Sequence, residues 1–210
     1  PRTVLDIPKR GFLNVHPSLL PRLRGPSPIR SAILNDEKEN GVSIILVDEE
    51  MDHGPIVAQK RITIPGWFNS PKHSGGGPPH LAELEEILMR EGGRLLAQIL
   101  PQWVKGEIDA HEQNHDIATY SEKIEKEDGL LDLSGDAHKN LLKIRAYEGW
   151  PGAYSYFERT GKKIRVAILD AHIDNGSLVI DKVKPEGKKE MAYEEFLRSG
   201  AHPIKTLSHS

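Results

Sequence analysis

Asn14 and His16 stand one residue apart in the run Asn14-Val15-His16-Pro17, and Asp52 lies in a later acidic loop. On a β-strand, residues i and i+2 project from the same face, so an amide and an imidazole would be presented together. An Asn amide donates to a developing oxyanion without titrating. A histidine, with an ordinary pKa of about 6.5, moves a proton or carries charge near neutrality. An aspartate orients such a ring and favours its charged form, or takes a proton through water. The trio suits attack of an amine on a carbonyl, which needs oxyanion stabilisation and removal of the amine's proton but no Ser or Cys nucleophile. An Asn-x-His pair is also, and more often, a satisfied structural pair, and the residue types alone leave both readings open.

The elements that must position these groups read as α/β. Phe12 to Val15 is apolar and runs into His16-Pro17; a residue before proline leans to extended backbone, which places His16 at a strand end. Ser27 is an N-cap with Pro28 at the first helical position, opening a helix to about Leu34. Val42 to Val47 is a continuous, largely β-branched run, as in a strand covered on both faces. The acidic loop Asp48 to Gly54 follows it, and Ile56 to Ile64 is a further strand. Ligands of open α/β sheets bind at the carboxyl ends of strands, where the Asn14-His16 pair and the Asp52 loop would meet. Leu81 to Leu100 repeats apolar residues at helical spacing, with Gly92-Gly93 marking close packing or a kink. Residues 105–118 are polar and read as a linker between parts spanning 1–104 and 119–210. The second part has a helix within Ser134–Tyr147 and strands near 153–158, 164–173 and 177–183. Gly161 and Asn175-Gly176 mark tight turns between those strands, and a last helix over 191–198 is stopped by Gly200. Short strands joined in this way suggest a small β-barrel.

The stretch NVHPSLLPRLRGPSPIRSAI, followed by GVSIILVDEEMDHGPIVAQ, resembles the core of the folate-dependent formyltransferases. The resemblance implies a partial Rossmann-like catalytic domain, because the chain starts at Pro1 inside the corresponding region and the family's early strands are expected upstream. It implies that Asn14, His16 and Asp52 are catalytic and that 10-formyltetrahydrofolate is the formyl donor. Ser18, Leu19, Leu20 and Pro21, with the loop residues Val47, Asp48, Glu49 and Met51, would line the folate pocket, and no metal is implied. His53 stands where many relatives carry Thr. The segments TYSEKIEKEDGLLDLS, IRAYEGWPGAYSYF and VKPEGKKEMAYEEFLRSG resemble the C-terminal domain of the methionyl-tRNA formyltransferase branch. That domain is a small open β-barrel, similar to an OB-fold, which contacts initiator tRNA. The implied acceptor is therefore the amino group of methionyl-tRNA, in the cytoplasm. Arg22, Lys123, Lys126 and Arg145 lie inside matching motifs and are candidate RNA contacts, structural ion pairs being the competing reading. A monomer is implied for a full-length chain; open sheet edges would let a shorter piece associate.

Composition narrows the alternatives. With 28 Lys and Arg against 31 Asp and Glu, the net charge is −3, so the chain as a whole is not a basic nucleic-acid binder. RNA contacts would come from local patches such as Arg159, Lys162, Lys163 and Arg165, or Lys182, Lys184, Lys188 and Lys189; solvated lysines on strand edges are the plainer reading. The absence of cysteine excludes disulfides and thiolate metal sites. No apolar run approaches a membrane span, and the first residues lack a signal peptide's apolar stretch. His111 to His115 matches H-E-x-x-H by letters, a zinc motif only when both histidines share a helical face; the apolar flanks of such a helix are missing. His73 and His80 flank a glycine run that lacks the Lys of a phosphate loop. Two other functions compete: a formyltransferase acting on another amine such as a sugar nucleotide, and an inactive tRNA-binding fragment.

Overall fold

The computed structural model describes residues 2–64, 67 and 77–204; His73, Gly75 and Gly76 lie outside them. The chain divides into two compact units, Pro1–Ala32, Glu37–Ile64 and Ala82–Lys123 in the first, and Ile33–Asp36, Pro65–Leu81 and Ile124–Ser210 in the second.

The first unit holds a short helix α1 (Arg2–Leu5), strand β1 (Leu13–His16), helix α2 (Pro28–Leu34) as far as Ala32, strands β2 (Asn40–Leu46) and β3 (Ile56–Ile62), and the long helix α3 (Leu81–Lys105) from Ala82 onward. Helix α2 starts at Pro28, where a residue with no N–H and a preset φ sits without cost. The strands form one sheet in the order β1-β2-β3. β2 is buried from Asn40 to Ile45, the two-sided burial that its apolar run implies. It pairs antiparallel with both neighbours. On the β3 side the cause is length: the loop of residues 47–55 is too short for the crossover that parallel strands require.

The apolar face of α3 closes the sheet. Ile44, Val57, Ile99 and Trp103 form a buried cluster, with Val15, Leu46, Leu95 and Leu96 packed against it. α3 runs past Pro101, beyond the end expected near Leu100. Pro101 removes a helical hydrogen bond, and burial of Trp103, one turn beyond Ile99, offsets that loss. Gly106 then ends the helix with a left-handed φ of 78°. Gly92 marks close packing: a Cβ there would lie 2.6 Å from Val15 Cγ1, whereas one on Gly93 meets nothing within 4 Å.

Residues 105–118, expected as a linker, pack within the first unit. The backbone of His111 exchanges two 2.8 Å hydrogen bonds with Ile56, and Gln113 is buried. Buried backbone groups in the sheet and loops need partners, and this polar segment supplies them.

The second unit contains helix α4 (Ala137–Ala146), strands β4 (Tyr154–Arg159), β5 (Lys162–Asp174), β6 (Ser177–Pro185) and β7 (Met191–Ala192), helix α5 (Tyr193–Arg198) and strand β8 (His202–Pro203). Asp136 caps α4 by accepting from Lys139 N–H at 2.7 Å. The antiparallel sheet runs β7-β6-β5-β4-β8 and stands where the small barrel was expected. Thr160-Gly161 and Asn175-Gly176 have positive φ at both positions, the left-handed turns that match strand twist. Leu131, Leu141, Ile144, Phe157, Val166, Val183 and Phe196 form the core.

Gly93→Ala is expected to stabilise the protein by up to about 1 kcal/mol through helix propensity. Gly92→Ala should destabilise it, by about 1–3 kcal/mol, because Val15 must give way. Urea unfolding midpoints of the two variants check the opposite signs.

Candidate functional site

β1 projects Asn14 and His16 from one face, and the loop after β2 brings Asp52 to them. His16 is 4% exposed. Its Nε2 lies 3.0 Å from the Leu23 carbonyl oxygen, an acceptor only, so this nitrogen carries a proton and donates. Its Nδ1 is 3.4 Å from Asp52 Oδ1. Asn14 Nδ2 donates to the same oxygen at 3.4 Å, and the Gly25 N–H donates to Oδ2 at 2.8 Å. Asp52 is thus the hub of the three. The two 3.4 Å contacts are long, as catalytic hydrogen bonds often are without substrate.

Burial raises the Asp52 carboxyl pKa. The His16 hydrogen bond, the Gly25 amide, the His16 charge and the Arg24 charge together outweigh it and hold the group below the ordinary 3.8. The carboxylate is therefore charged throughout the neutral range.

The Asp52 loop is tightly specified. Asp52 has a φ of 52°, a left-handed conformation that Asp tolerates better than most residues. At Gly54 a Cβ would overlap the Leu46 carbonyl oxygen. Behind the loop, Gln113 Nε2 donates to the carbonyls of Asp52 at 2.9 Å and Gly54 at 2.8 Å. Gln113 Oε1 accepts from Arg24 Nε at 3.2 Å and Nη2 at 2.7 Å. Arg24 is 1% exposed. Its Nη2 also meets His115 Nδ1 at 2.8 Å; arginine only donates, so that nitrogen accepts. The His115 ring stacks on His53 at 4.0 Å, and His53 Nδ1 lies 2.7 Å from Asp48 Oδ2. Sequence reasoning missed Arg24, Gly25, Leu23 and Gln113 as partners of the site. Arg24 and Gly25 carried a signal, since both lie in the stretch that resembles a formyltransferase core; Gln113 carried none.

The other expected site residues separate into groups. Ser18, Leu19, Leu20, Pro21 and Arg22 line a cavity of about 160 Å³ with Glu37, Glu39 and Arg61. Ser18 is buried and donates to the Arg22 carbonyl at 2.6 Å, so it shapes the turn. Val47, Asp48, Glu49 and Met51 are not part of that lining; they lie on the Asp52 loop, with Val47 and Met51 exposed. Arg22 reaches both oxygens of Glu37 at 2.6 Å, and Lys123 and Lys126 are exposed. Arg145 needs correction as an RNA contact. It is 2% exposed, donates to the Ala171 carbonyl at 3.0 Å and lies 3.1 Å from Asp170 Oδ1, so it fastens α4 to β5. His111 sits on a β-bridge and His115 opens a 3-10 turn, so no helix brings the two rings of the H-E-x-x-H pattern to one metal.

Comparison with known proteins supplies the family. Residues 1–66 match the formyl transferase family model, and residues 123–177 match the model of the formyl transferase C-terminal domain. The methionyl-tRNA formyltransferase of Carboxydothermus hydrogenoformans is 34% identical over 97% of this chain and 69% of its own length. This chain belongs to the methionyl-tRNA formyltransferase family. The enzyme of that name from Chloroflexus aurantiacus is 42% identical over 79% of the chain, which covers 49% of the relative, so the chain spans about half the length of that relative. Among solved structures, the methionyl-tRNA formyltransferase from Clostridium thermocellum aligns with a TM-score of 0.57 at 23% identity, covering 82% of this chain and 67% of that one. HypX from Aquifex aeolicus in complex with tetrahydrofolic acid aligns with a TM-score of 0.63 at 19% identity, covering 88% and 34%. At these identities the structures speak for the fold. Among the described residues, no helix is long and apolar enough to cross a membrane.

Because the folded pKa of Asp52 lies below 3.8, its ionisation contributes stability that is complete above that pH and is lost as pH falls through the lowered folded value. Asp52→Asn should therefore be less stable than the parent at pH 7, with the gap narrowing at pH 3. Urea denaturation at the two pH values measures it.

Proposed function

We propose that the protein carrying this chain transfers a formyl group from 10-formyltetrahydrofolate to the amino group of methionyl-tRNA in the cytoplasm. The observation that carries this reading is the Asp52 carboxylate, to which Asn14, His16 and the Gly25 amide converge. The family's name supports the acceptor, and the folate bound by the HypX neighbour supports the donor. The first unit would carry the chemistry. The second, whose sequence matches the C-terminal domain model, would contact the tRNA, with exposed Lys126 as one candidate.

The chemistry follows from the groups present. The amine nitrogen attacks the formyl carbon, and the carbonyl electron pair moves onto oxygen. Asn14 donates one amide N–H to Asp52, and its second N–H is available for the oxyanion. His16, anchored through Nε2 to Leu23, can hold a proton on Nδ1 between Asp52 and the developing charge. Asp52, kept ionised, accepts the proton that the amine must lose, directly or through water. Collapse of the tetrahedral species breaks the bond from carbon to folate N10, and that nitrogen takes up a proton. The balance is one C–N bond formed, one broken, and one proton moved from acceptor to tetrahydrofolate.

In the full-length protein, Asn14→Ala should lower kcat by about 10²–10³-fold, and Asp52→Ala should lower it at least as far, with circular dichroism unchanged. Turnover with 10-formyltetrahydrofolate is measured against charged initiator tRNA and, separately, against a sugar-nucleotide amine. Transfer that survives both substitutions removes the site assignment; formylation of the sugar amine alone reassigns the acceptor.

A further inference from the structure

The polar segment 111–121 does more than cover the sheet. Each fixed partner of the trio traces back to it. The Leu23 carbonyl, which anchors His16, belongs to a residue at a φ of 57°. That conformation is unfavourable for a branched side chain. Leu23 is held there by its N–H, which donates to Thr119 Oγ1 at 2.9 Å. The neighbouring backbone is zipped to the same segment, Arg24 N to Thr119 O at 2.9 Å and Ser121 N to Arg24 O at 2.7 Å. Gly25, whose amide holds Asp52, follows directly. On the other side of the carboxylate, Gln113 spans from Arg24 to the carbonyls of Asp52 and Gly54.

We infer that Gln113, anchored by the buried Arg24 guanidinium, is a positioning residue that sets the Asp52 carboxylate against Asn14, His16 and the Gly25 amide. The consequence for turnover rests on the function proposed above; the consequence for geometry does not. Gln113 is fitted to the task because it is bifunctional. Its amide N–H groups grip two loop carbonyls, while its oxygen takes two bonds from Arg24. Release of the Asp52 and Gly54 carbonyls would let the loop shift by a fraction of an ångström, and the 3.4 Å contacts of Asp52 leave little tolerance for that.

Gln113→Glu keeps an acceptor for Arg24 and removes the donors to the loop carbonyls. Because it also brings a negative charge near Asp52, Gly25 exchange rather than turnover reads the positioning. Amide hydrogen exchange resolved at Gly25 reads whether Asp52 remains in place, with Ser121 as an internal control. In the full-length protein, Gln113→Glu is expected to speed Gly25 exchange at least tenfold and leave Ser121 unchanged. It should lower kcat at least tenfold, with KM for 10-formyltetrahydrofolate within twofold. Arg24→Lys, which keeps the charge but loses the two-point grip on Gln113, should give a smaller loss of the same kind. Wild-type Gly25 exchange in Gln113→Glu, or a KM increase with kcat intact, would overturn the inference and leave Gln113 as a packing partner of Arg24. If Gln113→Glu does not fold, Gly25 exchange in Arg24→Lys decides, unchanged exchange again overturning it. A parent enzyme without formyl transfer would fail the proposed function while the Gly25 exchange still decides the role of Gln113.

Discussion

A carboxylate taken out of water must be given donors or it gives up its charge, and that requirement governs the first unit. Asp52 is ionised although partly buried, and its partners come from separate stretches: the Asn14 amide and the His16 Nδ1, 3.4 Å away, from β1, and the Gly25 N–H from the turn that follows. They converge only because β1 and β2 pair in one register, Asn14 opposite Ile45 and His16 opposite Ser43. The end of β2 then delivers its loop back beside β1. A one-residue slip would turn Asn14 and His16 to the other face. The core of Ile44, Val57, Ile99 and Trp103 fixes that register from below. The packing of α3 against the sheet, with Gly92 against Val15, is therefore a condition of the site as much as of stability.

Much of this was legible in the sequence, for definable reasons. Strand alternation put Asn14 and His16 on one face, and Pro28 placed the start of α2. Gly161 and Asn175-Gly176 announced their turns, since few residues adopt positive φ readily. Other features lay outside what pattern can carry. A run such as VSIILV reports burial on both faces but not strand direction, which the length of the following loop decided. Composition made residues 105–118 a linker, yet backbone groups of β3 and the Asp52 loop recruit that segment as a partner. Arg145 lies one turn from Leu141 and beside Ile144, on the buried face of α4, and that periodicity favours the structural ion-pair reading, which its contact with Asp170 bears out. The meeting of the Asp52 loop with Asn14 and His16 was expected at the carboxyl ends of both strands. β1 and β2 are antiparallel, however, so β2 ends beside Leu13 at the start of β1 and its loop folds back to reach the pair.

The pairing of Arg24 with Gln113 bears on the electrostatics as well as the geometry. A buried guanidinium usually calls for a carboxylate, and a Glu in place of Gln113 would satisfy Arg24 in the ordinary way. It would also cancel the positive charge and bring a second negative group beside Asp52, raising the Asp52 pKa. A neutral amide accepts from Arg24 without neutralising it, so the guanidinium field still reaches Asp52 and helps to hold its pKa down. The same neutral group carries N–H donors for the loop carbonyls, which a carboxylate lacks. The cost of a buried arginine without a carboxylate partner is met by Gln113 and His115, with Tyr120 within 3.4 Å of Nη1. A polar, neutral brace behind the Asp52 loop thus serves two ends at once: it fixes where the carboxylate sits and leaves the buried Arg24 charge to help hold its pKa down.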